Sequence, residues 1–303
     1  MKREVCMTHA SYVISATSSV DISEELFERL DVKWIPFHYQ IDGRDYLDDL
    51  GESISLSDFY EKMIAGSYST TSQINVFEYL NYFEQFLENG KDIIHLCLSS
   101  GITGEYNNAL IAKEELLEKY PERKIFVLDS LNASAAQFLL VKEMAKMRDQ
   151  EKSIEEINDW VINNRDRVNG WFLSSDLTYY IRGGRISKTK GAVGNALNIC
   201  PVMEVNRFGE LIVREKVRTK KRAVKVLLKK MATLADDGKD YEKECLIIHS
   251  HDYEGAIGLK EKLLESFPKI KKDIEIYQFG TIIGSHTGPG TLALVFWGEE
   301  KGR

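Results

Sequence analysis

In this 303-residue chain the side chains best suited to chemistry are hydrogen-bond donors near glycines, not clusters of charge. Thr71-Ser72 and Ser99-Ser100 each set two hydroxyls side by side, and His286-Thr287 adds an imidazole and a further hydroxyl beside Gly288-Pro289-Gly290. Arg182 and Arg185 flank Gly183-Gly184. Hydroxyls, imidazole and guanidinium suit a carboxylate held by short, directional hydrogen bonds. The same serines and threonines also suit helix capping, so the pattern by itself leaves binding and structure both open.

Other chemistries are less well served. Ser99-Ser100-Gly101 lacks the Gly-x-Ser-x-Gly spacing of a hydrolase elbow, and no Asp marks itself as a histidine partner. Gly101-Ile102-Thr103-Gly104 fails the dinucleotide fingerprint and carries no P-loop lysine. His249-Ser250-His251 would point two imidazoles the same way on a strand, yet no nearby Cys or acidic cluster completes a metal set. Asp45, Asp48 and Asp49 read as an exposed acidic segment, with a cation site as the rarer alternative.

Composition sets the frame. A net charge of -7 argues against general nucleic-acid binding, which needs a basic surface to neutralise phosphate. A 43% hydrophobic and 29% charged chain is normal for a globular protein of two domains. Cys6, Cys97, Cys200 and Cys245 are scattered, and the last three lie in apolar runs where cysteine acts as a small core residue. With no signal-peptide pattern and no apolar run of about 20 residues, the expectation is a reduced, cytoplasmic chain.

The elements that must position these groups alternate. Residues 10 to 20 predict a strand and a Ser/Thr-rich loop, and Asp21 to Leu30 a helix. Val32 to Gln40 predicts an edge strand broken by Pro36, with a hairpin turn at Ile41 to Arg44 and a helix from Ser55 to Ala65. Gly66 to Gln73 reads as a hydroxyl-rich loop. Asp92 to Leu98 is an apolar run suited to a strand buried on both faces, and a Ser/Gly loop and the helix Glu105 to Tyr120 follow it. Such a strand, loop and helix make a polar crevice at the carboxyl end of a sheet. Continued alternation to residue 148 predicts an α/β domain with a largely parallel sheet. A boundary near 165 to 170 divides the chain into an N-terminal α/β domain (1–167) and a C-terminal α/β domain (168–303). In the second, Leu197 to Val205 and Glu210 to Val217 predict a hairpin, and Phe279 to Trp297 predicts strand, tight turn, strand with His286 at the tip.

In combination these segments resemble the DegV family of bacterial fatty-acid-binding proteins, whose members include the binding subunit of the fatty acid kinase system. The resemblance rests on Thr71-Ser72-Gln73, Leu98 to Tyr106, Val127-Leu128-Asp129-Ser130, Arg182 to Ser187, Lys216-Val217-Arg218 and Gly284 to Gly290, in family order along nearly the whole chain. It implies two α/β domains with a long-chain fatty acid buried between them. By motif position Thr71 and Ser100 would bind the carboxylate, with Ser99 as the register alternative, Ser72 and Thr287 beside them and His286 from the second domain. Arg182, Arg185 and Arg218 would supply the basic positions near the exposed end, meeting the ligand, a kinase subunit or a membrane surface. The implied role is a non-enzymatic carrier without cofactor or metal, which presents the acid to a kinase for phosphorylation to an acyl phosphate. The alternatives are a kinase-independent lipid sensor, or a hydrolase of a small carboxylate or acyl phosphate with His286 as acid or base and Ser100 as nucleophile. Two positions depart from the family pattern: Thr17-Ser18-Ser19 stands where an Asp-Ser-Thr loop is usual, and Ile74 where a proline is usual.

Overall fold

The computed structural model of the protein describes residues 11–187, 199–270 and 273–302. Cys6, Ala10 and the predicted strand start at Leu197 lie outside the described residues. A wholly parallel sheet, in the order β2-β1-β6-β7, joins β1 (Tyr12–Thr17), β2 (Lys33–Ile35), β6 (Asp92–Cys97) and β7 (Ile125–Asp129). The apolar run of β6 is buried from Ile93 to Cys97, as expected of a central strand covered on both faces. Its crossover helices are α3 (Val76–Glu88), α4 (Glu105–Lys119), α5 (Ala135–Asp149) and α6 (Ile154–Asn164). Local chemistry fixes the starts of α3 and α6, where Asn75 with Glu78 and Ser153 with Glu156 form capping boxes. Ser23 and Ser55 cap the shorter α1 (Glu24–Arg29) and α2 (Leu56–Ile64).

The segment around Pro36 departs from expectation. It is two strands in different sheets, β2 before the proline and β3 (His38–Ile41) after it. β3 pairs antiparallel with β4 (Arg44–Leu47) across the Asp42-Gly43 turn, and on its other side with β5 (Ser69–Ser72). The hydroxyl-rich segment expected as a loop is therefore partly a strand. Hydroxyl residues give little periodic signal, and it is pairing to Tyr39 and Ile41 that makes them extended.

A six-stranded sheet in the order β10-β9-β8-β13-β11-β12 occupies the second half, with only β11 and β12 parallel. Its strands are β8 (Val168–Leu173), β9 (Ile199–Val205), β10 (Leu211–Arg218), β11 (Cys245–His249), β12 (Glu275–Gln278) and β13 (Leu292–Trp297). One face packs on α8 (Lys220–Leu234) and α9 (Tyr253–Ser266) through Trp171, Leu173, Leu292, Leu294 and Phe296. The alternate residues Phe172, Ala293 and Val295 belong to the other core, which the parallel sheet shares. Between the two sheets lies α5, buried almost all round from Ala135 to Val141. A helix apolar on every side needs neighbours on every side.

Phe279 to Trp297 is not strand, turn, strand. Between β12 and β13 the chain forms α10 (Thr281–Thr287), closed by Gly288 at φ +66°. A short apolar run carries no period long enough to separate helix from strand. Packing decides: Gly284 lies so close to Tyr60 and Phe59 that a Cβ would fall 2.5 Å from the Tyr60 hydroxyl.

Candidate functional site

The inner faces of these layers do not close on one another. Where α5 begins it presents Ala133, Ala135 and Ala136, and opposite them the second sheet presents Gly170 and Ala293. Small residues on both walls leave a cavity of about 480 Å³, within the range of roughly 300 to 1,000 Å³ usual for small-molecule sites. Phe37, Leu98, Phe172, Val205, Ile282 and Val295 are among its apolar walls. The lining comes from both sheets, and also from β5 and α10.

Polar groups gather where β5, α10 and the segment after α7 (Thr178–Arg182) meet, all contributing to the lining. Thr71 Oγ1 and His286 Nε2 are 2.7 Å apart and share a hydrogen bond. Burial, reinforced by the Arg185 charge, pushes the His286 imidazole down to about 3, so it is neutral near pH 7. Its Nδ1 has no partner, and neither has the buried Thr287 Oγ1. Arg185 Nη1 donates to the Gly183 carbonyl at 2.6 Å, while its Nε is buried and unpartnered. No carboxylate among the described residues pairs with this guanidinium. Two glycines allow the close fit: a Cβ on Gly183 would overlap His286 Nδ1, and one on Gly288 would overlap the Tyr179 ring.

Buried acids hold α10 in place from its other end. Thr281 Oγ1 donates to Asp48 Oδ1 at 2.7 Å, and Asp21 lies against Gly280, just before the first turn. Carboxylates suit the positive end of a helix. Burial raises both acids above the usual carboxylate range, so part of this population is neutral near the pH where carboxylates normally ionise. Asp48 is thus a buried member of the segment expected to be exposed; Asp45 remains on the surface. Asp21, two residues beyond Thr17-Ser18-Ser19, supplies a buried acid that the sequence motif did not reveal.

The sequence-predicted residues divide clearly. Thr71, Ser72, His286, Thr287 and Arg185 line the cavity together. Ser100 does not: its side chain is exposed, and its backbone amide donates to Asp129 Oδ1 at 3.1 Å. Ser99 is buried but also lies outside the lining, because its hydroxyl donates to the Gly209 carbonyl at 2.9 Å and accepts from the Gly101 amide. It fastens the loop after β6 to the β9–β10 turn. The hydroxyl residue of that loop that lines the cavity is Thr103, whose Oγ1 accepts from the Glu105 amide at 3.3 Å at the start of α4. Arg182 is exposed over the Tyr68 ring and Arg218 is exposed at the end of β10, both outside the lining. His249 ends β11 and accepts from the Asp252 amide at 3.1 Å, whereas His251 sits in the following turn at φ +52°, so the two do not share a strand face.

Comparison with known proteins agrees with this architecture. The profile of the DegV family, described as uncharacterised proteins, matches residues 12–299. A DegV domain-containing protein of Clostridium perfringens is 37% identical over 290 residues, covering 96% of this chain and 98% of the relative. Among solved structures, a fatty acid binding DegV family protein from Streptococcus agalactiae is 26% identical with a TM-score of 0.82, covering 96% of this chain and 100% of that one. The fatty acid kinase B3 protein of Streptococcus pneumoniae, loaded with linoleic acid, shares the fold at 24% identity and a TM-score of 0.80, with 95% and 99% covered. The matches run the length of both sheets and the cavity between them, and this chain belongs to the DegV family.

Proposed function

We propose that this protein is a carrier that binds a long-chain fatty acid and presents its carboxylate to a fatty acid kinase, which phosphorylates it to an acyl phosphate. One observation carries the reading: an apolar cavity has at one end the unpaired Arg185 guanidinium, beside the Thr71–His286 hydrogen bond. A cation without an acid partner beside an apolar void is complementary to an amphiphile with an anionic head. Burying an acyl chain releases roughly 0.8 kcal/mol for each methylene, so about a dozen give near 10 kcal/mol before the costs of association. Such binding needs no catalytic group. The hydrolase alternative is weakened because its nucleophile, Ser100, lies outside the cavity and His286 is engaged by Thr71.

The likeness to the fatty acid binding protein of Streptococcus agalactiae supports the ligand class. The kinase partnership rests on the family resemblance alone. The exposed Arg182 and Arg218 are the proposed contacts for the kinase or for transient contact with a membrane surface. Among the described residues no helix is long and apolar enough to cross a membrane, and a cytoplasmic location is part of the proposal. So is the division into 1–167 and 168–303, which limited proteolysis would probe by cleavage near the boundary.

Lipid extraction and mass spectrometry of the purified protein test the ligand: a co-purified fatty acid is expected. Finding none, together with no fatty-acid binding after delipidation, would sink the proposal. Reconstitution with a fatty acid kinase and labelled ATP tests the partner. Acyl phosphate formed only when both proteins are present supports the carrier, and its absence favours the lipid sensor.

A further inference from the structure

A second polar cluster lies away from the cavity, on the face of the parallel sheet covered by α3 and the start of α4. His95 and Cys97, two residues apart on β6, point to that same face, and Glu105 opens α4 beside them. All three are fully buried. Their nearest ligand atoms lie within 4.8 Å of one another, the only such cluster of three among the described residues. We propose that His95, Cys97 and Glu105 form a structural site for a divalent transition-metal ion of the zinc type.

Three features favour an ion over a closed hydrogen-bond network. The first is a missing partner. Tyr79 donates to Glu105 Oε1, but Glu105 Oε2 is buried with nothing bonded to it. Ionised, it is an orphan acceptor; protonated, it is an orphan donor. The second is spacing. His95 Nε2 lies 3.8 Å from Glu105 Oε1, near the roughly 3.3 Å between nitrogen and oxygen ligands of one tetrahedral zinc, and the Tyr79 hydroxyl, 3.3 Å from His95 Nε2 and donating to Glu105 Oε1, stands beside both as a further ligand. The His95 Nδ1 is held 2.9 Å from Ser15 Oγ, which is itself 2.7 Å from the Tyr82 hydroxyl. Fixing one imidazole nitrogen in this way turns the other toward the cluster, as an outer hydrogen bond does for a metal-binding histidine. The third is charge. The start of α4 offsets part of the Glu105 charge, and no lysine or arginine among the described residues pairs with it. A divalent ion bound by one thiolate, one carboxylate and one neutral imidazole leaves no net charge to bury. Thiolate with imidazole and carboxylate suits zinc, and the Tyr79 hydroxyl or a water can complete four-coordination.

The site would also matter to the cavity without touching its ligand. Cys97 and Glu105 bracket the loop that supplies Leu98, Ile102, Thr103 and Gly104 to the lining, so an ion between them ties both ends of that loop together.

The experiment unfolds the full-length protein in denaturant with a chelator and refolds it with or without zinc. Bound zinc is counted by mass spectrometry and Tm is measured. About one zinc per chain, retained through dialysis and raising Tm by several degrees, is expected. Refolding with cobalt(II) should give a thiolate-to-cobalt charge-transfer band that Cys97→Ser removes and that Cys200→Ser and Cys245→Ser leave intact. Should Cys97→Ser fail to fold, Glu105→Gln, which keeps shape and the Tyr79 contact, must still lower the zinc count. No retained zinc or cobalt in the refolded wild-type protein, or a band indifferent to Cys97→Ser, would overturn the site. Metal is counted whether or not fatty acid binds, so failure here is distinct from failure of the carrier proposal.

Discussion

At the polar end of the cavity the unpartnered atoms are Arg185 Nε, His286 Nδ1 and Thr287 Oγ1; behind the parallel sheet the unpartnered atom is Glu105 Oε2. The first region has a surplus of donors and a cation without an acid beside it. The second has a carboxylate with no basic side chain except His95. Folded proteins leave few buried polar groups unpaired, so a leftover group points to what belongs there. Leftover donors next to an apolar void point to an anion with a long tail. A leftover acceptor beside a thiol and an imidazole points to a small cation. The difference lies in surroundings as much as in residue type: glycine and alanine walls make room in one place, and Tyr79, Tyr82 and Phe83 pack tightly around the other.

The comparison breaks first at Arg185. Arg185→Met keeps the stem and removes the donors, and should weaken fatty-acid binding by about 1.5 to 3 kcal/mol, roughly 10-fold to 150-fold, while zinc retention stays the same. Displacement of a fluorescent fatty acid from delipidated protein measures the first effect. An unchanged affinity would mean that the carboxylate is held elsewhere.

A second test sharpens the donor end through pH. The His286 imidazole falls from its usual 6.5 to about 3 in the folded, ligand-free protein, first through burial and then through Arg185. The unfolded chain therefore binds the proton first, and stability is full above pH 6.5 and declines as pH falls toward 3. The slope is at most about 1.4 kcal/mol per pH unit from this group. Denaturant unfolding of ligand-free wild type and His286→Gln at a series of pH values should show a shallower decline in the variant. Parallel curves would remove His286 from the account.

The smallest effects separate the neighbouring serines. Ser100→Ala should change neither affinity nor Tm, because its side chain is exposed. Ser99→Ala should lower stability by about 1 kcal/mol through loss of its bond to Gly209, with fatty-acid affinity little changed. Loss of binding in Ser100→Ala alone would restore the role that the motif assigned to it.

Much of the fold was legible because it is local. The apolar run of β6, the Ser55 cap and the Asp42-Gly43 turn follow from spacing and capping chemistry, and the structure has them where the sequence places them. Thr71, His286, Thr287 and Arg185 were legible as types of donor, and all four lie in the segments that carry the family resemblance. What failed was context. Ser69 to Ser72 became a strand because β3 lies beside it, and Thr281 to Thr287 became a helix because Tyr60, Asp48 and Asp21 shape its surroundings.

The sequence by itself determined the strand and helix alternation, the capped helix starts and the supply of donors, since these depend on residues a few positions apart. Only the tertiary structure decided which residue of the Ser99 to Thr103 segment carrying a hydroxyl lines the cavity. It also decided that Arg185 and not Arg182 reaches it, and that His95, Cys97 and Glu105 meet. Those outcomes depend on which side of a chain faces inward when distant segments pack, and neighbours in sequence carry no record of that direction.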